Sequence, residues 1–111
     1  HMRKTMFMNL TPHPLNVLDA NGVEHVFMPT TLAARVAVSV EAREPVEGFR
    51  VSSQSFGEVE NLPAQEGVTY IVSALVLSAL KGSRSDVVAP DTGPTAIREN
   101  GQIKAVRGFV Q

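Results

Sequence analysis

The chain contains no cysteine and no tryptophan, one tyrosine and five phenylalanines among 111 residues. Without cysteine there is no disulfide, no thiolate metal ligand and no cysteine nucleophile. The same absence fits a protein of a reducing cytoplasm. With aromatics at 5%, stacking platforms for single-stranded nucleic acid are poorly supplied. Neither sign of charge is in excess: 10 Lys+Arg stand against 11 Asp+Glu, a formal net charge of -1. General nucleic-acid binding needs a basic surface, and this composition does not provide one. Long hydrophobic runs are missing too. The longest, Tyr70 to Leu80, is about half of the ~20 residues that span a bilayer, so no membrane association is expected. The Arg3-Lys4 pair is followed by too short an apolar stretch for a secretory signal.

What is present is globular in kind. Hydrophobic residues make up 43% and charged residues 19%, the balance of one folded unit rather than a disordered chain. The expectation is a single domain over residues 1–111, with His1-Met2 a cloning remnant and start methionine. A chain of this size buries roughly two thirds of its unfolded surface, a modest core. There is no internal repeat.

Met6 to Leu10 reads as a short strand, ended by Thr11-Pro12-His13-Pro14, since prolines cannot continue a central strand. Leu15 to Met28 reads as a hairpin turning at Asn21-Gly22, with Val17 opposite Val26 and Leu15 opposite Met28. Pro29-Thr30-Thr31 breaks the pattern, and alternation resumes over Ala33 to Val40. Glu41 to Gly48, polar and carrying Pro45, reads as a loop; Phe49 to Val59 reads as a further strand pair bounded by Gly57 and Asn61-Leu62-Pro63. Val68 to Val72 is a β-branched and aromatic strand. Ser73 then caps a helix over Ala74 to Lys81, with Gly82 past its end. Asp86 to Ala89 is another strand, stopped by Pro90. Thr95 to Val110 reads as a hairpin at Asn100-Gly101, with a three-residue loop that pairs Ile97 with Ile103. The sum is an α+β fold: a mainly antiparallel sheet or partly open barrel of six to eight short strands with one short helix. The unit over residues 68–89 can supply one parallel pair.

Three strands stop at small polar clusters: Thr11-Pro12-His13, Ser73 with Ala74, and Pro90-Asp91-Thr92-Gly93. If these strands run parallel, their carboxyl ends share one edge of the sheet, where ligands of such sheets collect. A helix N-terminus suits phosphate or carboxylate. Arg84, Arg98 or Arg107 can add a counter-charge. In this arrangement Thr11 and His13 contact polar groups of a ligand, the N–H groups of Ser73 and Ala74 hold an anion, Asp91 and Thr92 meet ribose-like hydroxyls, and Arg84 or Arg107 pairs with phosphate. The same residues have ordinary structural uses. Ser73 can be a cap and nothing more, Thr11 to Pro14 a rigid turn, and Asp91 to Pro94 a common turn sequence.

Other chemistries are weakly encoded. Ser73, His13 and Asp91 are the residue types of a hydrolytic triad, but Ser73 lacks the flanking glycines of a nucleophile elbow. His13 and His25 have no paired ligand spacing, so no metal is expected. Neither GxGxxG nor GxxxxGK occurs, so no nucleotide cofactor is expected either. Glu41, Glu44, Glu47, Glu58, Glu60 and Glu66 crowd the middle of the chain, as a solvated face or an acidic docking surface.

Taken in order, Asn9-Leu10-Thr11-Pro12-His13, then Gly57 to Pro63, then Tyr70 to Val76 followed by Asp86 to Pro90 resemble a group of small proteins of phages, prophages and bacterial genomes that begin with an "NLTPH" stretch. The resemblance spans most of the chain and carries no enzymatic activity with it. It implies a small accessory protein of phage type, in the host cytoplasm. By analogy with counter-defence proteins of this size, the expectation is that it binds and sequesters a small anionic, nucleotide-derived signalling molecule. Two alternatives stay open: a protein–protein interaction module acting on a host protein or in the virion, and a small hydrolase of a nucleotide-like substrate. Short strands with open edges favour a homo-oligomer, with a dimer as the default.

Overall fold

The computed structural model describes residues 6–30 and 32–111. His1-Met2, expected to be a remnant and start methionine, the Arg3-Lys4 pair and Thr31 lie outside them. The fold is α+β. Among the described residues there are ten strands and one helix: β1 (Met6–Asn9), β2 (Leu15–Leu18), β3 (Glu24–Phe27), β4 (Arg35–Val46), β5 (Phe49–Glu60), β6 (Val68–Ile71), α1 (Ala74–Leu80), β7 (Val87–Pro90), β8 (Ile97–Glu99), β9 (Gln102–Ala105) and β10 (Phe109–Val110).

The central sheet has the order β1-β6-β7-β10. β1 pairs parallel with β6, with Asn9 beside Ile71, and β6 pairs parallel with β7, with Ile71 beside Val88. Only β10 runs antiparallel, along β7. The expected mainly antiparallel α+β fold is present, with four antiparallel strand pairings against two parallel ones among the described residues, while the expected six to eight strands and partly open barrel are corrected. Antiparallel pairing is confined to β10 and to three separate hairpins, β2-β3, β4-β5 and β8-β9, and no barrel closes. The β6-α1-β7 unit is the parallel crossover that the sequence allows.

Alternation in β6 explains why the sheet is covered on both sides. Tyr70 and Val72 point to one face, where they join Leu10, Ala34, Val76 and Val87 in the main core; Met8, Val36, Val59, Leu62 and Leu77 pack against it. Helix α1 lies on this face through Val76 and Leu77. A second cluster, Val17, Ala96 and Val106, is backed by Leu15, Phe27 and Phe109. Phe7, Phe27 and Phe109 converge there, with ring centroids 5.3 to 6.1 Å apart.

Three local readings change. The first hairpin is one residue out of the expected register: Leu15 faces Phe27 and Val17 faces His25. Asp19 is the cause. Its carboxylate accepts from the N–H groups of Asn21 and Val23 and meets His25 Nε2 at 2.9 Å, which widens the loop beyond two residues. Because a one-residue slip exchanges the faces of a strand, Val26 and Met28 point to solvent. The last hairpin does turn at Asn100-Gly101, but with a two-residue loop between Glu99 and Gln102. A bulge beside Ile97 then pairs it with Ala105, not Ile103. Asn100 and Gly101 both take positive φ, 53° and 80°, the primed turn that suits the twist of a hairpin.

The largest change is in the middle. Glu41 to Gly48 is not a loop, and Phe49 to Val59 is not a strand pair. β4 and β5 are two 12-residue strands of a single hairpin. Pro45 is tolerated because it lies in a bulge between Arg43 and Val46, where no ladder N–H is needed. The turn is Glu47-Gly48, both at positive φ. This arm gives the molecule principal extents of 56 × 36 × 23 Å and a radius of gyration of 16.6 Å, against about 13 Å for a compact chain near this length.

Tyr70 is fully buried, and its hydroxyl has no hydrogen-bond partner among the described residues. A buried unpaired hydroxyl costs about 1–3 kcal/mol. Tyr70→Phe is therefore expected to keep or raise the urea midpoint. A loss above ~1 kcal/mol would show that the hydroxyl is stabilising.

Candidate functional site

The parallel pairing brings the carboxyl ends of β1, β6 and β7 to one edge of the sheet. The register continues past the strands: Leu10 N–H donates to the Ile71 carbonyl, and Val72 N–H to the Val88 carbonyl. Thr11, Ser73 with Ala74, and Asp91 with Thr92 therefore leave the sheet from neighbouring strands on the same side. Arg107 arrives at this edge from β10, because Asp91 N–H donates to the Gly108 carbonyl at 2.9 Å.

At the β1 end the organising residue is Asn9. It is 1% exposed, and its side chain uses all of its capacity. Nδ2 donates to the carbonyls of His13 at 2.9 Å and Phe27 at 2.8 Å. Oδ1 accepts from the N–H of Thr11 at 2.9 Å and from Thr11 Oγ1 at 2.7 Å. Thr11 is thus buried and tied into the turn, so its hydroxyl is committed to Asn9. His13 is exposed, and only its backbone carbonyl takes part. Its ring is free to meet a solute.

At the β6 end Ser73 caps α1, its Oγ accepting from Val76 N–H at 3.2 Å. Lys81 and Gly82 close the helix in left-handed conformations. The helix has seven residues, so few peptide dipoles align behind its N-terminus. At the β7 end Asp91 makes an Asx turn: Oδ1 accepts from Gly93 N–H at 3.0 Å. Oδ2 is 3.4 Å from Thr95 Oγ1. Thr92 is exposed, and its carbonyl accepts from Arg98. Arg98 also reaches the Gly93 carbonyl, so it stiffens this loop and is not a spare cation. Arg107 is exposed, with no ion pair or side-chain hydrogen bond among the described residues.

Arg84 does not join this edge. α1 carries the chain back to the amino end of β7, and Arg84 sits there, gripping Asp86 through two 2.8 Å contacts and donating to the Pro63 carbonyl. Its charge is spent on the fold. Ser73, His13 and Asp91 share the sheet edge, but Ser73 Oγ bonds Val76 and Asp91 bonds its own loop, so no nucleophile–base pair is formed. His25 is held by Asp19 on the first hairpin. Among the described residues no three His, Asp or Glu side chains cluster as metal ligands, and no helix is long and apolar enough to cross a membrane. Asn9 is the residue that sequence reasoning passed over as a site organiser. The signal for it is an Asn two residues before a Thr-Pro turn, the spacing at which a side-chain amide can close the loop.

Two outcomes test these assignments. Ser73→Ala should cost about 1 kcal/mol in urea unfolding, the value of a helix cap. The Arg84 guanidinium holds the Asp86 carboxyl below its ordinary value of 3.8. A carboxylate lowered in this way adds stability that is fully present above its ordinary value and lost as pH falls through the folded one. Asp86→Asn should thus be less stable than wild type at pH 7, and the gap should close below about pH 4, read by urea melts across pH.

No family model matches this chain, and no curated protein or solved structure matches it either.

Proposed function

We propose that the chain is a non-enzymatic accessory protein of phage type that binds and sequesters a small anionic, nucleotide-like signalling molecule at the carboxyl edge of β1, β6 and β7. The observation that carries this reading is that two exposed side chains without a hydrogen bond or ion pair among the described residues, the ring of His13 after β1 and the guanidinium of Arg107 before β10, flank that edge from its two outer strands. Arg107 is the anion anchor, since a guanidinium takes phosphate or carboxylate in a bidentate grip. His13 adds a second donor. Thr92, exposed beside the Asp91 turn, offers a hydroxyl for a sugar-like group. Phe109, two residues beyond Arg107 and stacked on Phe7 at 5.3 Å, supplies the apolar surface nearest along the chain. Thr11 and Ser73 shape this edge and hold it still. Ser73 Oγ and Asp91 Oδ1 are each bonded within their own turns, which supports holding a ligand over turning it over.

A protein–protein interaction module is the second reading, favoured by the long β4-β5 arm with its exposed apolar residues.

The test is thermal stabilisation across a panel of linear and cyclic nucleotides, with mass spectrometry of what the purified protein carries. A ligand at 100 times its Kd stabilises by about 2.7 kcal/mol. Arg107→Ala and His13→Ala, both at exposed positions, should leave the free protein within ~0.5 kcal/mol of wild type. They should weaken binding by about 10- to 100-fold, the worth of a charge-assisted hydrogen bond. A hydrolysed product would favour the hydrolase. No shift with any nucleotide would leave the interaction module.

A further inference from the structure

We infer that Asn100 is a site of spontaneous covalent modification, at which the Gly101 backbone nitrogen closes on the side-chain amide and leaves an aspartate–isoaspartate mixture, while the fold protects the same dipeptide at Asn21-Gly22. Asparagine is among the thermolabile residues. The reaction needs a backbone nitrogen that can approach the side-chain carbonyl carbon, and glycine, with no Cβ, hinders that approach least. The chain has five asparagines. Leu or Val follows Asn9, Asn16 and Asn61; Gly follows Asn21 and Asn100. Both Asn-Gly pairs are exposed, so exposure does not separate them. Nor does space, since a Cβ on either glycine would meet no atom within 4 Å.

Hydrogen bonding does separate them. At the first turn Gly22 N–H donates to the Asp19 carbonyl at 3.0 Å. The Asp19 carboxylate accepts from Asn21 N–H at 2.8 Å and Val23 N–H at 3.0 Å, and His25 Nε2 fixes it at 2.9 Å. The nucleophile is engaged there, and the backbone on both sides of it is held. At the second turn neither Gly101 N–H nor the Asn100 side chain has a hydrogen-bond partner among the described residues. The strands that carry this turn, β8 and β9, have three and four residues. The Lys104–Glu99 pair across it, at 3.3 Å, is exposed on both sides, and such a pair adds little. The end of so short a hairpin opens at small cost. Opening frees the Asn100 backbone from the primed turn and lets Gly101 N reach Asn100 Cγ.

Water is the only co-reactant. The Gly101 nitrogen gives its proton to solvent and bonds to Asn100 Cγ. The Cγ–Nδ2 bond breaks, and Nδ2 takes a proton from solvent and leaves as ammonia. Water then opens the cyclic imide at either carbonyl, which gives aspartate or isoaspartate with no change of oxidation state. Both products add a negative charge beside Glu99. Isoaspartate also routes the backbone through the former side chain, which lengthens a turn built for two residues between Glu99 and Gln102. The change stays local. Val106 N–H donates to the Asn16 carbonyl and Leu18 N–H to the Val106 carbonyl, so the far end of β9 is held from β2 and not by its turn.

This inference is independent of the ligand reading. The full chain is incubated at mildly alkaline pH, and tryptic peptides are followed over time by mass spectrometry. Cleavage after Arg98 and Lys104 releases residues 99–104, in which Asn100 is the one asparagine; fragmentation of the peptide over residues 5–35 reads Asn21. Asn100 should convert, faster as pH rises, and its peptide should become a substrate for an isoaspartyl methyltransferase. Asn21 should convert at least about tenfold more slowly, the effect of breaking two modest hydrogen bonds before reaction. In the urea-unfolded chain the two should convert at similar rates. Asp19→Ala, at an exposed position, should speed Asn21 at least about tenfold and leave Asn100 unchanged; the comparison within the wild-type chain stands without this variant. An Asn100 that stays intact in the folded chain while it converts in urea overturns the proposal. So does an Asn21 that keeps pace with Asn100 in the folded chain, or one that stays slow in folded Asp19→Ala.

Discussion

The side-chain amide of Asn9 is the interaction on which most of this structure depends. It stands at the last position of β1, in register with Ile71 of the central strand. From there it holds the carbonyl ending β3, at Phe27, and the carbonyl of His13, which precedes β2. The backbone carbonyl of the same residue accepts from Thr30 N–H at 3.2 Å. One buried residue thus fastens the first hairpin to the end of the parallel sheet. Each bond is worth only about 1 kcal/mol net, but losing the side chain would take these partners from the Phe27 carbonyl and the Thr11 N–H, at about 1–3 kcal/mol each, while Thr11 Oγ1 and the His13 carbonyl would keep their own 3.1 Å bond. Aspartate would not replace it, because two of the four bonds are donated.

That fastening decides what the sheet edge can become. The turn after β1 is rigid because Thr11 is locked to Asn9, and rigidity there holds the His13 backbone while releasing its ring. The turn after β7 is rigid for a parallel reason: Asp91 binds its own loop and Arg98 grips the carbonyls beyond it. Stiff loops at the carboxyl ends of parallel strands cost little further entropy on meeting a ligand. The cations divide cleanly by role. Of the three candidate arginines, Arg84 and Arg98 are consumed in holding the chain to itself, and Arg107 has no ion pair or side-chain hydrogen bond among the described residues.

The parallel sheet edge was legible in the sequence because short-range chemistry decides it. A β-branched strand, a Ser cap, an Ala- and Leu-rich turn of helix and a Gly stop are all local signals, and they place β6, α1 and their boundaries within a residue. Registers were less legible. Asn21-Gly22 is a genuine turn signal, but Asp19 and His25 outbid it with side-chain bonds that no turn propensity counts. Arg84 could not be separated from Arg107 by type; only the direction of the α1–β7 connection sends one away from the edge and leaves the other on it. Asn9 was hidden because a buried amide looks like any surface asparagine until its partners, as far off as Phe27, are known.

The arm shows the same limit in its strongest form. Polar alternation with a proline reads as a loop when a strand is expected to bury one face in its own chain. β4 breaks that assumption: its ladder runs on through Glu41 and Arg43, and its apolar positions face outward beyond the core. Cross-strand pairing can carry a strand where burial of a face does not. The compromise is visible in composition, since Val38, Val40 and Phe56 share one face while Glu41, Ser53 and Ser55 occupy the other. The length of the arm therefore rests on its continuous cross-strand ladder rather than on burial of a face within the chain.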